Sequence, residues 1–252
     1  MKIHAFFLAA LMLTGTARAD PPRKYGILSL AGDAISTVTY VTDIGTKINP
    51  NDKHIYSLLN NTEFDETAIR AASAALKKAE ADANPFLMLS TDAELHQMQN
   101  AMFDDPATNQ ANRDYLKSLW KDKGITHLIL VTKYRADAEM KFIQQSEGSG
   151  KIEGLGFYMD NQVHVVSHNA KNISTQGVLM PFAYVRLRLI DAETLTIERE
   201  VRQKQSQLVT YAPDADRAVR TWDALTPKQK MDYLNALMQE AVSEGVPKLL
   251  KK

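Results

Sequence analysis

The residues that most suggest chemistry lie in the glycine-rich stretch GSGKIEGLGFY, residues 148–158. A phosphate-binding P-loop needs the pattern G-x-x-x-x-G-K-[ST], because backbone N–H groups wrap the phosphates, lysine neutralises them and the hydroxyl holds magnesium. Gly150-Lys151 matches the central pair, but Gln145 occupies the position of the first glycine and Ile152 that of the hydroxyl. No helix is expected to follow and receive an anion. The stretch is therefore not predicted to bind a nucleotide.

We interpret this stretch instead as a flexible hairpin loop between a strand that begins near Ile125 and a strand around Val163. Glycines widen the backbone conformations that such a loop can adopt, and loops of this kind often carry recognition. We expect the loop to lie away from any pocket. Its predicted partner-binding residues are Gly148, Ser149, Gly150, Lys151, Gly154, Gly156 and Phe157.

Two histidines, His164 and His168, have the H-x-x-x-H spacing of helical zinc sites. The surrounding sequence VHVVSH is typical of a strand, in which the two rings lie about 13 Å apart at roughly 3.3 Å per residue. That separation is too large for one ion. His96 and His127 are expected to be packed within a helix and a strand. We predict neither a metal nor a cofactor.

Paired acids occur at Asp104-Asp105 and at Asp214 with Asp216, and both pairs sit at chain breaks beside proline, where Asp favours turns and helix caps. The chain has no cysteine nucleophile and no G-x-S-x-G motif. An enzyme is therefore disfavoured. The alternative that stays open is a hydrolase with a scattered cluster, Asp33, His164 and Asp214.

The amino-terminal residues predict secretion. A short basic start precedes the apolar run Ala5 to Leu13, and Ala17-Arg18-Ala19 provides a small-x-small cleavage site. We predict a signal peptide at 1–19 and a single domain at 20–252. No later run reaches the roughly 18 apolar residues of a membrane-spanning helix. The expected location is the periplasm, without a lipid anchor or stable membrane insertion.

The composition argues against one class of binding partner. Loss of Lys2 and Arg18 with the signal peptide leaves 28 basic residues against 30 acidic ones, which argues against a nucleic-acid partner. The chain contains no cysteine, so its core must form without disulfides. Oligomeric state is left open.

Hydrophobic periodicity predicts an α/β fold: a mixed central sheet with helices packed on it, a long C-terminal β-hairpin and a final amphipathic helix. Residues 25–30 and 35–41 read as an initial hairpin. A helix is expected to begin at Asp65, residues 86–90 form a buried strand, and residues 125–134 form the strongest strand. A last helix begins at Pro227, ends at Pro247 and buries Leu234, Leu237, Met238 and Ala241.

The long hairpin joins residues 182–191 to residues 195–211. A short turn at 192–194 would place Arg188 opposite Glu198 and Arg186 opposite Glu200, with Leu187 and Leu189 towards the helices. The functional alternative is that Arg186 and Arg188 form an exposed anion site.

Three stretches together carry a resemblance: the helix start at Phe64-Asp65, the strand GITHLILVTKY at 124–134, and the hairpin YVRLRLIDAET at 184–194. In these the chain resembles the curli-secretion-channel-like superfamily of bacterial envelope proteins. That superfamily includes the lipoprotein activators of penicillin-binding proteins and, more distantly, the amino-terminal domain of the translocation protein of the Tol system. The chain departs from it at Leu195, where the turn usually has glycine, and in lacking a lipobox cysteine.

The resemblance implies an α/β sandwich that acts as a non-enzymatic interaction module in the periplasm, with another envelope protein as its partner. No catalytic residue carries over from it. The predicted function is therefore a binding or envelope-assembly protein. The alternatives are a periplasmic hydrolase and a carrier of small ligands in a cleft between the two halves.

Overall fold

A computed structural model of the protein describes residues 22–40, 53–141, 146–147, 150–167, 173–209 and 221–251. The strands are β1 Tyr25–Ser29, β2 Ala34–Thr39, β3 Lys53–Leu58, β4 Phe86–Met88, β5 His127–Lys133, β6 Arg135–Asp137, β7 Met140–Lys141, β8 Ser146–Glu147, β9 Lys151–Ser167, β10 Ile173–Asp191 and β11 Ile197–Ser206. The helices are α1 Glu63–Ala79, α2 Ala93–Met98, α3 Ala101–Asp104, α4 Gln110–Ser118 and α5 Pro227–Leu250, with a 3-10 turn at Thr221–Ala224.

The main sheet has the strand order β3-β2-β9-β10-β5-β1-β4. β1 runs parallel to β4 and β5, whereas β10 is antiparallel to β5, β9 and β11. β6 pairs with the start of β9, and β7 pairs with β8 apart from the main sheet. The predicted fold class, a mixed sheet with helices packed on it, is confirmed.

At two neighbouring positions of this sheet, a pair of strands lies end to end with a gap between them, where a single long strand could have run. β5 and β9 lie end to end along the same edge of β10: β5 pairs with residues 185–191 and β9 with residues 173–184. β1 lies parallel to β5, and β2 lies parallel to β9. β1 and β2 therefore run in the same direction, one after the other, and are separated only by residues 30–33. We call this interruption the strand break.

The predicted initial hairpin is wrong for this reason: β1 and β2 do not pair with each other, and the chain between them sidesteps instead of reversing. The glycine that suggested a turn, Gly32, has another purpose. A Cβ at Gly32 would lie 2.7 Å from the backbone nitrogen of Asp65, so only glycine allows the strand break to approach α1 this closely.

Helices cover both faces of the sheet, as expected where strands are apolar on both sides. Residues of α1 and α5 pack on one face with Ile27 and Ile129, and residues of α2, α3 and α4 pack on the other with Leu28 and Leu130. The predicted buried face of the last helix is confirmed at Leu234, Leu237, Met238 and Ala241. This helix continues through Pro247 to Leu250, against the prediction, because Val246 and Leu249 anchor its last turn in the core.

Other predicted boundaries also change. α1 begins at Glu63 rather than Asp65, so Asp65 lies in the first helical turn and is buried. β4 is an edge strand with Phe86 39% and Leu87 47% exposed, whereas a buried strand was predicted. No helix in the described part of the chain is long and apolar enough to cross a membrane.

The long hairpin has a different register from the predicted one. Arg188 pairs with Glu200, and Arg186 lies opposite Arg202. The connection is longer than predicted, because Asp191 N–H bonds to the Thr196 carbonyl and the register shifts again after Leu189. Leu195 adopts a left-handed conformation with φ 57°, which a glycine would favour. The direction of Leu187 and Leu189 towards α1 and α5 is confirmed.

Candidate functional site

The strand break removes backbone groups from the β-ladder, and two buried side chains bind them instead. Asp65 Oδ1 accepts hydrogen bonds from Ala31 N–H and Gly32 N–H, both at 3.0 Å, and from the Ser29 hydroxyl at 2.6 Å. His96 contacts the Leu30 carbonyl oxygen through Nδ1 at 3.1 Å. Buried backbone groups must find partners, so these contacts stabilise the interruption.

The His96 ring is bound on both sides. Its Nδ1 faces the Leu30 carbonyl oxygen and its Nε2 faces that of Ser90, each at 3.1 Å. Two carbonyl oxygens can only accept, and a neutral imidazole has one N–H, so both contacts are hydrogen bonds only when the ring is doubly protonated. Asp33 and Asp65 supply negative charge at 3.9 and 4.0 Å from the two nitrogens.

Asp65 itself is almost completely buried. Burial raises the pKa of its carboxyl group above the ordinary range, although the Ser29 hydroxyl, His96 and the N–H groups of Gly32 and Ala31 all act in the opposite direction. Its side chain lies on α1, beneath one face of the sheet. The histidine that it meets lies on α2, on the other face.

The end of β5 contacts the strand break through Lys133. Lys133 Nζ lies 2.5 Å from Asp33 Oδ1, which joins the end of β5 to the strand break. Two side chains from the turn after α2 bind the backbone of Lys133. The Gln99 side chain accepts a hydrogen bond from Lys133 N–H at 2.7 Å, and the Asn100 side chain donates one to the Lys133 carbonyl oxygen at 3.0 Å. The position of the lysine is therefore fixed from both sides.

These groups border a cleft of about 1040 Å³, which we call the break cleft. β2, β3 and β9 form the wall opposite α2 and contribute Ser36, Tyr56, Leu58, Glu153 and Leu155, among others. Its titratable lining residues are Asp33, Asp65, His96, Asp104, Lys133 and Glu153. Binding sites in sheets of this kind commonly lie at the carboxyl ends of parallel strands, and both β1 and β5 end at this cleft.

Two buried side-chain oxygens in the break cleft have no hydrogen bond within the described residues: Asp33 Oδ1, which forms the ion pair with Lys133, and the Ser36 hydroxyl, which has no partner of either kind. Ser36 is 2% exposed, and its hydroxyl has no hydrogen bond within the described residues. Ser36 lies on β2 between Gly156 and Tyr56 in the neighbouring strands. A buried hydroxyl without a hydrogen bond is unfavourable, so a site that normally fills this space with a polar atom would explain it.

Behind the cleft lies a buried ion pair. Arg188, 1% exposed, contacts Glu200 Oε2 at 3.1 Å and donates to Asn100 Oδ1 at 3.3 Å. Burial lowers the pKa of Arg188. Burial also opposes the charge of Glu200, but hydrogen bonds from Arg188 and Arg202 outweigh it and lower the pKa of that carboxyl group. The proposed exposed anion site is therefore wrong for Arg188.

The predicted glycine loop has a different structure. Lys151, Gly154, Gly156 and Phe157 all lie within β9, and Phe157 is buried. Gly156 allows close strand contact, since a Cβ there would lie 2.0 Å from the Ser36 carbonyl oxygen. The hairpin-loop interpretation is wrong for these residues because their glycines serve packing within a sheet.

The other residues of the predicted loop precede β9 in the sequence, and β9 itself decides how far the stretch lies from the break cleft. Gly150 directly precedes β9, and Gly148 and Ser149 lie outside the described residues. The same strand contributes Glu153 and Leu155 to the break cleft, so the expectation that the stretch lies remote from any pocket is also wrong. A role in binding a partner stays a prediction.

Of the scattered enzymatic cluster, only Asp33 is placed at the cleft. His164 lies in β9, and Asp214 lies outside the described residues, as does His168. His96 is packed in a helix as expected, but its contacts with two carboxyl groups were not predicted. Within the described ranges, no three His, Asp or Glu residues are grouped to hold a metal ion.

No protein family and no curated protein matches the sequence. Among solved structures, a hypothetical protein from Chlamydia trachomatis is 12% identical with a TM-score of 0.31, over 89% of this chain and 98% of that one. A lipoprotein from Neisseria meningitidis is 9% identical with a TM-score of 0.25, over 87% of this chain and 97% of that one. Likenesses at these TM-scores leave the function to be argued from the site.

Proposed function

We propose that this protein is a non-catalytic binding protein of the bacterial envelope, and that the break cleft is its ligand site. The observation that carries this proposal is the Ser36 hydroxyl, buried at the cleft wall without a hydrogen bond. The predicted signal peptide and the resemblance to envelope proteins support the location. The partnership with another envelope protein stays a prediction beside it.

The geometry of the titratable groups of the cleft favours binding over catalysis. A general base needs a free lone pair directed at its substrate. Both His96 nitrogens are engaged by carbonyl oxygens, and the Ser29 hydroxyl is buried and donates to Asp65. These groups hold the strand break in place, which supports a preformed site of fixed shape.

Retention of small molecules tests this proposal. Protein equilibrated with the small-molecule fraction of a bacterial extract is separated from free solutes, and the compounds that it retains are identified by mass spectrometry. Ser36→Leu fills the wall of the cleft and should abolish retention of compounds that wild type holds. Thr37→Leu is the matched control, since the next residue on a strand points to the opposite face and should leave retention unchanged.

Equal retention by wild type and Ser36→Leu would place the bound compounds elsewhere and refute the proposal. Loss of retention in both variants would show that β2 tolerates neither change. Circular dichroism and thermal melting of each variant identify that case, and Ser36→Ala, which deletes the hydroxyl without adding bulk, then replaces Ser36→Leu.

A further inference from the structure

We propose that the ligand of the break cleft is a small organic cation, an ammonium with a short apolar body. This inference rests on the proposed function, because it presupposes that the cleft is a ligand site. It is carried by the charges on the cleft wall and by the unpartnered hydroxyl beside them.

Two of the four carboxyl groups in the cleft already have partners. Asp33 is paired with Lys133 at 2.5 Å, and Asp65 faces His96 at 4.0 Å. The pair with Asp33 leaves Lys133 unavailable to an anionic ligand. An incoming carboxylate or phosphate would have to displace Asp33 from Lys133, which makes an anion the less favourable occupant.

The other two carboxyl groups are poorly compensated. Glu153 has no ion pair among the described residues, although it lines the cleft. Asp104 has one described partner, Arg188 at 3.9 Å, and that arginine lies closer to Glu200 at 3.1 Å. The cleft therefore carries excess negative charge. This charge attracts a cation more strongly where water is excluded, because the effective dielectric constant is lower there.

The unpartnered Ser36 hydroxyl offers the ligand a hydrogen-bonding contact in the same cleft as these carboxyl groups. Its oxygen can accept a hydrogen bond from an ammonium N–H, and its O–H can also donate, so the surrounding charges decide the sign of the ligand. Tyr56 and Leu58, both exposed on β3, offer an aromatic ring and an apolar surface for the body of the ligand.

A matched set of three probes tests the charge of the ligand. n-Pentylamine, 1-pentanol and pentanoate share one chain and differ in charge, and their binding is measured by isothermal titration calorimetry. We expect binding of n-pentylamine alone, weakened by added salt. Glu153→Gln should weaken it roughly tenfold, the loss expected for one charge-assisted contact. Glu240→Gln, which removes an exposed charge on α5, should leave it unchanged.

Binding of pentanoate in preference to n-pentylamine would overturn the cation assignment and leave the break cleft as a ligand site. Equal weakening by Glu153→Gln and Glu240→Gln would also overturn it, since net charge alone would then explain the attraction. So would failure of n-pentylamine to bind while wild type still retains extract compounds that Ser36→Leu loses. Failure of the proposed function itself is seen separately, in retention that Ser36→Leu does not alter.

Discussion

The side chains of His96 and Asp65 come from helices on opposite faces of the sheet, yet His96 Nε2 and Asp65 Oδ2 lie 4.0 Å apart. They meet because the sheet is interrupted between β1 and β2, where residues 30–33 leave the ladder. The released backbone groups bind these two side chains instead of a neighbouring strand. The same interruption opens the break cleft. The hydrogen bonds of Asp65 and His96 to the strand break, which we call the brace, and the candidate site therefore have one origin.

The first prediction concerns this brace. Asp65→Ala should lower the free energy of unfolding by about 3 kcal/mol or more, because it leaves two N–H groups and one hydroxyl buried without an acceptor. Asp65→Asn keeps an acceptor oxygen and should cost less, about 1–2 kcal/mol. Urea denaturation of the two variants measures the difference. Equal losses would show that the charge opposite His96, rather than the three hydrogen bonds, dominates.

The second prediction tests the hairpin register. Glu200→Ala removes the closest counter-charge of the buried Arg188 and should destabilise the protein by about 2–4 kcal/mol. Glu198→Ala is the control, since its ion pairs with Arg23 and His127 are partly exposed and should contribute less than about 1 kcal/mol. Thermal melting compares them. A larger loss in Glu198→Ala would support the register predicted from the sequence instead.

The third prediction is an alkaline one. Burial raises the pKa of Tyr184 to about 12, with the Glu139 backbone lowering it and the Glu139 charge raising it. Between about pH 10, where an exposed tyrosine ionises, and pH 12, the unfolded chain loses this proton before the folded one. This contribution to stability is therefore complete below pH 10 and is lost as the pH rises towards 12. The ultraviolet absorbance of tyrosinate measures ionisation.

The control for that titration is Tyr184→Phe, which should remove the ionisation near pH 12 that belongs to Tyr184. Ionisation of all tyrosines of the folded protein near pH 10 would contradict the buried position of Tyr184.

The fourth prediction concerns the docking of α5. Leu237→Asp places a charge in the core beneath the sheet and should cost about 4 kcal/mol or more, enough to unfold a marginally stable protein. Ala236→Asp introduces the same charge one residue earlier, on the exposed side of the helix. Circular dichroism at ambient temperature should show loss of structure only in Leu237→Asp. An unchanged melting temperature in that variant would show that the helix is not docked.

Local patterns predicted the elements better than their pairing. The apolar run at β5 and the helical stripe of α5 follow from periodicity alone, and both are confirmed. The hairpin register depends on a bulge after Leu189 and on the left-handed conformation of Leu195. Leucine is not a residue expected at positive φ, so only the resemblance, in which the turn usually has glycine at this position, hinted at the conformation of Leu195.

The candidate site was harder to predict for a topological reason. Asp33, Asp65, His96 and Lys133 are spread over 100 residues and share no motif, so only the strand break brings them together. The one local signal was Gly32 beside Asp33, which read as a hairpin turn. A glycine that permits close approach to a helix leaves the same mark in the sequence as one that reverses the chain.

The most direct test of the central claim, that the break cleft is the ligand site, is a map of amide chemical shifts. Labelled protein is titrated with the small-molecule fraction of the extract, and the shifted resonances are assigned. We predict that they cluster around Ser36, Asn100 and Lys133, at the wall and floor of the cleft. Shifts confined to the exposed edge strand β4, around Phe86 and Leu87, would contradict the account.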